Sequence, residues 1–194
     1  TKKVGQYYYQ DRKYKIKLNT KNVFSKGMFE NVCLAIKVAL DLKIDKKTIQ
    51  KALPFLSFEG RFQYLRKGKI KNKLNRNEII MLDGAHATTD AQNLAKYLKN
   101  IKIPKYGIWA MTKNKNPDLF IKQLKGVFKK IITMPIENEV SSVSAQELHK
   151  VAKENKFNVE KSDNFAQALK KISSKEKKLI VCFGSLYNCG NILN

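Results

Sequence analysis

Residues 78–99 read EIIMLDGAHATTDAQNLAKYLK, and their pattern of apolar and polar residues indicates the architecture of most of the chain. Four apolar residues follow Glu78, as in a buried strand, and a short loop containing Gly84 comes next. The residues from 89 to 99 have the pattern of an amphipathic helix. A strand, a loop and a helix in this order form half of a βαβ unit, which predicts a parallel sheet.

The same alternation continues through most of the chain. Ser144 with Glu147, and Asn116 before Pro117, are typical helix starts. The predicted strands are 61–66, 78–82, 107–111, 130–134 and 178–183, and the predicted helices are 89–99, 117–127, 145–156 and 164–172. The sequence therefore predicts an α/β fold, a Rossmann-like and mostly parallel sheet with flanking helices.

The first quarter of the chain has a different pattern. Strands are predicted over 6–9 and 14–18, and helices over 27–42 and 46–53, with Asp45 as the N-cap of the second helix. We expect a small α+β piece over 1–56 and the α/β domain over 57–194.

Composition limits the class of protein. The formal charge is +23, which by itself suggests a nucleic-acid or membrane partner. The basic residues are nearly all scattered lysines, whereas nucleic-acid surfaces tend to cluster charge and use arginine. No run of eighteen apolar residues is present, and three cysteines without CxxC spacing suggest buried, reduced thiols. We expect a cytoplasmic protein with no nucleic-acid or membrane partner.

Candidate binding residues follow the strands, because ligands of open parallel sheets bind beyond the carboxyl ends of the strands. Asp83 could accept hydrogen bonds from ribose hydroxyls, and His86 could meet a carboxylate or phosphate. Ser185 follows Gly184 at a predicted helix start, where anions are favoured. Arg61 is a fixed cation suited to a bidentate phosphate contact.

The sequence pattern alone also allows simpler interpretations of these residues. Asp83 could only cap the helix beginning near Thr88, and His86 could be an ordinary loop residue. Many strand-to-helix turns look like Gly184-Ser185, and Arg61 could be a surface arginine.

Three motifs in order resemble the C-terminal domain of folylpolyglutamate synthases and dihydrofolate synthases, relatives of the Mur ligases. They are Gly60-Arg61-Phe62-Gln63, Leu82-Asp83-Gly84-Ala85-His86 and Phe183-Gly184-Ser185-Leu186-Tyr187. Residues 27–39 also resemble the end of that family's central ATPase domain.

The resemblance implies a function. In this family ATP phosphorylates a folate or dihydropteroate carboxylate, and L-glutamate attacks the acyl phosphate, with Mg²⁺ and ATP bound mainly by the ATPase half. By resemblance, Arg61 and Asp83 would bind ATP, and His86 and Ser185 would bind glutamate. No catalytic residue and no metal ligand is assigned within this chain, and a monomer is expected.

Two departures from the family pattern shape the prediction. Ala87 and Thr88 stand where the family usually has Asn-Pro, and no GxxxxGK[ST] phosphate loop is present. We therefore expect the N-terminal catalytic half to be missing and the chain alone to be inactive. The alternatives are a nucleotide- or amino-acid-binding module that needs a P-loop partner, from a split or decayed gene, and a basic nucleic-acid-binding protein.

Overall fold

The computed structural model describes residues 7–194. The chain divides into two compact units, Thr1–Phe58 and Glu59–Asn194. The assignment of 1–56 to the end of an ATPase domain and of 57–194 to a ligase-type domain stays a prediction.

The first unit contains two short strands and two helices. Its elements are β1 Tyr8–Gln10, β2 Lys15–Lys17, α1 Lys26–Asp41 and α2 Lys46–Ala52, with a single 3-10 turn at Leu53–Phe55. The strands pair antiparallel through a turn in which the Asp11 carboxylate accepts hydrogen bonds from two backbone N–H groups. Asp45 caps α2 as predicted, accepting from Lys47 N and Thr48 N. Gln6 of the predicted first strand lies outside the described residues.

The second unit is a six-stranded sheet with flanking helices. Its elements are β3 Gln63–Tyr64, α3 Lys69–Asn72, β4 Glu78–Asp83, α4 Thr88–Lys99, β5 Lys105–Trp109, α5 Pro117–Lys122, β6 Lys130–Thr133, α6 Ala145–Glu154, β7 Val159–Lys161, α7 Phe165–Ile172, β8 Lys178–Phe183 and α8 Leu186–Leu193. The strand order is β3-β4-β8-β5-β6-β7, and only β3 runs antiparallel to its neighbour. The prediction of a mostly parallel α/β sheet is confirmed.

Each face of this sheet has its own apolar layer. On one face, Ile80, Ile108 and Ile180 pack with Leu169 of α7 and Ile192 of α8. On the other face, four aromatic rings form a stack, with centroids 5.0 to 6.3 Å apart for its contacting pairs: Trp109, Phe120, Phe128 and Phe183. The central strands are therefore buried on both sides, as parallel strands usually are.

A buried ion pair ties β4 to β8 at their amino ends. Lys178 and Glu78 are 1% and 0% exposed, with 3.7 Å between Lys178 Nζ and Glu78 Oε1. Lys178 Nζ also donates to Ile172 O, and Glu78 accepts from Ser174 N, so both charges have further partners. This end of the strands is the one opposite to the predicted site.

Five details of the elements and of burial differ from the predictions. The strand predicted over 61–66 pairs only at Gln63–Tyr64, because Gly60 and Phe62 both have positive φ and bend the chain. The helix predicted over 117–127 ends at Lys122, after which i→i−3 turns lead to Gly126. Two short elements, α3 and β7, were missed because four and three mainly polar residues leave no periodic pattern. Cys182 is buried as predicted, but Cys33 is only half-buried.

Candidate functional site

The three motifs predicted from sequence meet at the carboxyl ends of β4 and β8. Gly84 N donates to Gly60 O at 2.6 Å, which joins the first motif to the second. A Cβ on Gly84 would lie 2.3 Å from Leu186 Cδ2, so the second motif also packs directly on the third. A side chain larger than hydrogen does not fit at Gly84 without movement of Leu186. The structure thus brings Arg61, Asp83, His86 and Ser185 to one edge of the sheet, where ligands of parallel sheets bind.

The loop after β8 is held against the end of β5. Gly184 has φ +107, and an added Cβ would lie 2.2 Å from Ala110 O. Only glycine adopts this conformation at such a close backbone approach without strain. The turn places Ser185 at the start of α8, beside the loop that follows β4.

Asp83 holds two of the loops together. The side chain is almost fully buried, and its two carboxylate oxygens accept hydrogen bonds from Phe62 N at 3.0 Å and Ala85 N at 2.8 Å. Burial raises the pKa of Asp83 to about 6, against the opposing effects of these hydrogen bonds and of the Arg61 charge. Any ribose hydroxyl would have to use the lone pairs that these oxygens still offer.

The simpler interpretation of Asp83 as a helix cap is wrong. Helix α4 begins after Ala87, and its first turn is capped by Asp90, whose carboxylate accepts from His86 N and Ala87 N at 3.3 Å. An acidic residue three positions after the N-cap is a recognisable capping signal, and it was overlooked in the sequence.

Arg61 lies on a strained turn. The next residue, Phe62, has φ +47, which is rare for a bulky side chain and costs about 1–3 kcal/mol. Phe62 is buried with its ring 4.9 Å from the ring of Tyr97, and its N–H is bonded to Asp83. These contacts hold the conformation and fix the direction in which Arg61 leaves the backbone. No local sequence pattern indicates this strain.

The Arg61 guanidinium remains accessible. Its Nη1 lies 3.8 Å from Asp90 Oδ2, and the two side chains are 30% and 33% exposed. A contact of this length between partly exposed charges contributes little. Arg61 is therefore positioned beside the loop and still able to meet an anionic ligand.

His86 and Ser185 each have a defined hydrogen-bonding role. His86 Nδ1 lies 2.8 Å from Gly84 O, and since a carbonyl only accepts, Nδ1 carries a proton and Nε2 is the nitrogen that can meet a ligand. Ser185 Oγ accepts from Tyr187 N at 3.1 Å as the N-cap of α8, which leaves its hydroxyl proton to donate. Ser185 is 3% exposed, so it can reach only a ligand seated directly in the loop.

Neither a cluster of metal-binding side chains nor a membrane-spanning helix is found among the described residues. Residues 7–194 contain no group of three or more His, Cys, Asp or Glu side chains that could hold a metal ion. Over the same residues, no helix has the length and apolar character needed to cross a membrane.

Comparison with solved proteins shows which fold this is. Escherichia coli FolC in complex with ADP superposes with a TM-score of 0.76 at 17% identity, over 100% of this chain and 44% of that one. Mycobacterium tuberculosis folylpolyglutamate synthase, complexed with ADP and AMPPCP, gives 0.74 at 15% identity, over 96% and 46%. Thermotoga maritima folylpolyglutamate synthase gives 0.64 at 26% identity, over 87% and 38%. The chain spans less than half the length of these proteins.

Sequence comparison identifies the family. No curated protein matches the chain. Residues 66–194 match the family described as dihydrofolate synthetase, C-terminal domain. The matched range includes Asp83, His86 and Ser185, whereas Arg61 lies five residues before it. Since this range is about two thirds of the chain, the chain belongs to the dihydrofolate synthetase C-terminal domain family.

Proposed function

We propose that this chain is the C-terminal part of an ATP-dependent ligase that adds L-glutamate to dihydropteroate or folates. The observation that carries the proposal is the meeting of three family motifs at one edge of the sheet. Solved relatives support it by what they contain: E. coli FolC was solved with DHPP and ADP, and a Yersinia pestis folylpolyglutamate synthase/dihydrofolate synthase was solved complexed with AMPPNP and Mn.

The proposed chemistry has two steps. The substrate carboxylate attacks the γ-phosphorus of ATP, which forms an acyl phosphate and releases ADP. The amine of glutamate then attacks the acyl carbon, which forms the amide, releases phosphate and leaves a proton to be taken up. Holding both reactants close together and away from water is the contribution expected of a closing domain.

The residues of this chain would position the reactants. Arg61 would contact the ATP phosphates or the acyl phosphate, where a guanidinium can make two parallel hydrogen bonds. Asp83 would hold the ribose hydroxyls with its remaining lone pairs while it fixes the Arg61 loop. His86 Nε2 and the Ser185 hydroxyl would bind the carboxylates of glutamate. Mg²⁺ would be held by residues outside this chain and would neutralise phosphate charge.

The first unit fits the end of an ATPase domain. Helix α1 and its C-cap residue expose three apolar side chains at four-residue spacing: Leu34 and Val38 of the helix are 65% and 50% exposed, and the C-cap Leu42 is 70% exposed. Residues four apart lie on one helical face, so these three form an apolar stripe. We propose that the rest of a P-loop ATPase half, joined to this chain or separate from it, covers this stripe.

The experiment is steady-state kinetics of the assembled ligase, this chain together with its ATPase half. Arg61→Ala should lower kcat by about tenfold to a hundredfold, the effect of losing a charged contact to a reacting phosphate. His86→Ala should raise the KM for glutamate more than the KM for ATP. Arg76→Ala, an exposed arginine before the amino end of β4, is the matched control. Equal losses in the Arg61 and Arg76 variants would contradict the proposed role of Arg61.

A further inference from the structure

A cavity of about 510 Å³ lies on the opposite side of the second unit from the aromatic stack. It opens between α7, α8 and the segment that joins β3 to α3. Its apolar wall consists of Leu65, Ile70, Met134, Phe165 and Ile192. The volume is within the range of small-molecule sites. None of Arg61, Asp83, His86 and Ser185 lines the cavity, so it is separate from the site described above.

A buried amide in the lining lacks a partner. Asn188 of α8 is 1% exposed, and its Nδ2 makes no hydrogen bond to any of the described residues 7–194. Leaving a buried donor unsatisfied is unfavourable, and native structures seldom do so without a reason. A ligand atom in the cavity that accepts a hydrogen bond from this amide, once the Asn188 side chain turns its Nδ2 toward the cavity, would remove the penalty.

The charge around the cavity is mainly positive. Lys67, Lys69 and Lys73 are exposed residues of its lining, and Glu137 is the acidic residue that accompanies them. The backbone carbonyl of Glu137 accepts from Asn191 Nδ2 at 2.6 Å, which fixes that side of the rim. A net positive rim around an apolar wall complements a molecule with an apolar body and a negative group.

We propose that this cavity binds a small organic acid with an apolar body about the size of one or two rings. The body packs on Phe165 and the aliphatic wall. The acid group lies toward the lysines, and one of its oxygens accepts from Asn188 Nδ2. A neutral apolar molecule would leave Asn188 unpaired, and a bare inorganic anion would leave the apolar wall exposed.

The test is a titration of the ¹⁵N-labelled 194-residue chain with 1-naphthoate, followed by NMR, with neutral 1-naphthamide as the comparison compound. Naphthoate should shift the Asn188 side-chain amide and the backbone amides of Gly68 and Phe165. Lys69→Gln with Lys73→Gln should weaken naphthoate binding by about three- to tenfold, the range for two partly exposed charge contacts, and leave naphthamide binding unchanged. Lys150→Gln, an exposed lysine of α6, is the matched control.

The results separate specific binding of an organic acid from an uncovered apolar gap and from non-specific attraction to a basic chain. Asn188→Ala should weaken binding of both compounds by a similar factor, because the carbonyl oxygen of naphthamide can accept from Asn188 Nδ2 as a carboxylate oxygen can. The Lys69/Lys73 variant keeps the proposal testable if Asn188→Ala does not fold. Equal binding of the acid and the amide would overturn the proposal, because the cavity would then be only an uncovered apolar gap. Shifts that map to lysines across the surface, or an equal effect of Lys150→Gln, would overturn it as non-specific attraction to a basic chain. Because neither compound needs ATP or an ATPase half, a failure here is separate from a failure of the ligase function.

Discussion

Asp83→Asn tests how the buried carboxylate shapes the stability of the site. In the folded chain, burial raises the pKa of Asp83 from 3.8 to about 6. The folded state therefore binds this proton more tightly than the unfolded state does. It follows that the contribution of Asp83 to the free energy of unfolding falls as the pH rises from about 4 through about 6, and levels off above about pH 7. A difference of about two pKa units corresponds to roughly 3 kcal/mol.

The assay is urea unfolding of the wild type and the Asp83→Asn variant across this pH window. Trp109 is the single tryptophan and is buried in the second unit, so its fluorescence reports the unit that contains Asp83. Asp45 and Asp118 have lowered pKa values and lose stabilising contacts as the pH falls, but they are common to both proteins and cancel in the difference. The wild type should gain about 2 kcal/mol relative to the variant between pH 6 and pH 4, and about 3 kcal/mol between pH 7 and pH 3.

Two results would contradict a pKa of Asp83 that is raised by burial. Parallel stability curves for the two proteins would mean that burial does not dominate its environment. A ¹³C titration of the Asp83 carboxyl with a midpoint at or below its ordinary value would mean that the hydrogen bonds from Phe62 and Ala85 outweigh the loss of solvent. Asp163→Asn, at an exposed position before α7, is the control for removing one negative charge.

Three further predictions follow from the packing and from the missing phosphate loop. Lys178→Met should lower the free energy of unfolding in urea by about 3–5 kcal/mol, because Glu78 then stays buried without its cation. Adding Glu78→Gln should restore most of this stability, whereas a further loss in the double variant would contradict the buried ion pair. Gly84→Ala should lower the free energy of unfolding by about 1–3 kcal/mol, because the added Cβ would lie 2.3 Å from Leu186 Cδ2. Adding Leu186→Ala should relieve this clash, and a Gly84→Ala variant as stable as the wild type would contradict the close packing. The isolated chain should release no phosphate from ATP above background. A rate of ATP hydrolysis that survives stringent purification and disappears in Asp83→Ala would contradict this prediction.

The parallel sheet could be predicted from sequence because its central strands are buried on both faces. Ile79 to Leu82 and Leu179 to Phe183 are continuous apolar runs, and each has a helix after its loop. Strand β7 could not be predicted, since Val159–Lys161 is a three-residue edge strand whose last two side chains face solvent. Its place in the sheet is decided by pairing with β6, which no local pattern encodes.

The neighbourhood of the site could be predicted, but its internal contacts could not. Residues that follow parallel strands must share one edge of the sheet, so Asp83 and Ser185 were expected near each other. The hydrogen bond from Phe62 N to Asp83, and the positive φ of Phe62, depend on how a loop far along the chain returns to the sheet. The unpartnered amide of Asn188 is likewise a property of packing between helices.

The proposed ligase function is tested by the ATP-dependent incorporation of labelled L-glutamate into dihydropteroate or folate. The assay compares this chain alone, a P-loop ATPase half of the same type of ligase alone, and the two together. We predict amide product only when both are present, with ADP and phosphate formed in equal amounts. Product formed at the same rate by the ATPase half alone would contradict the claim, because this domain would then contribute nothing to glutamate addition.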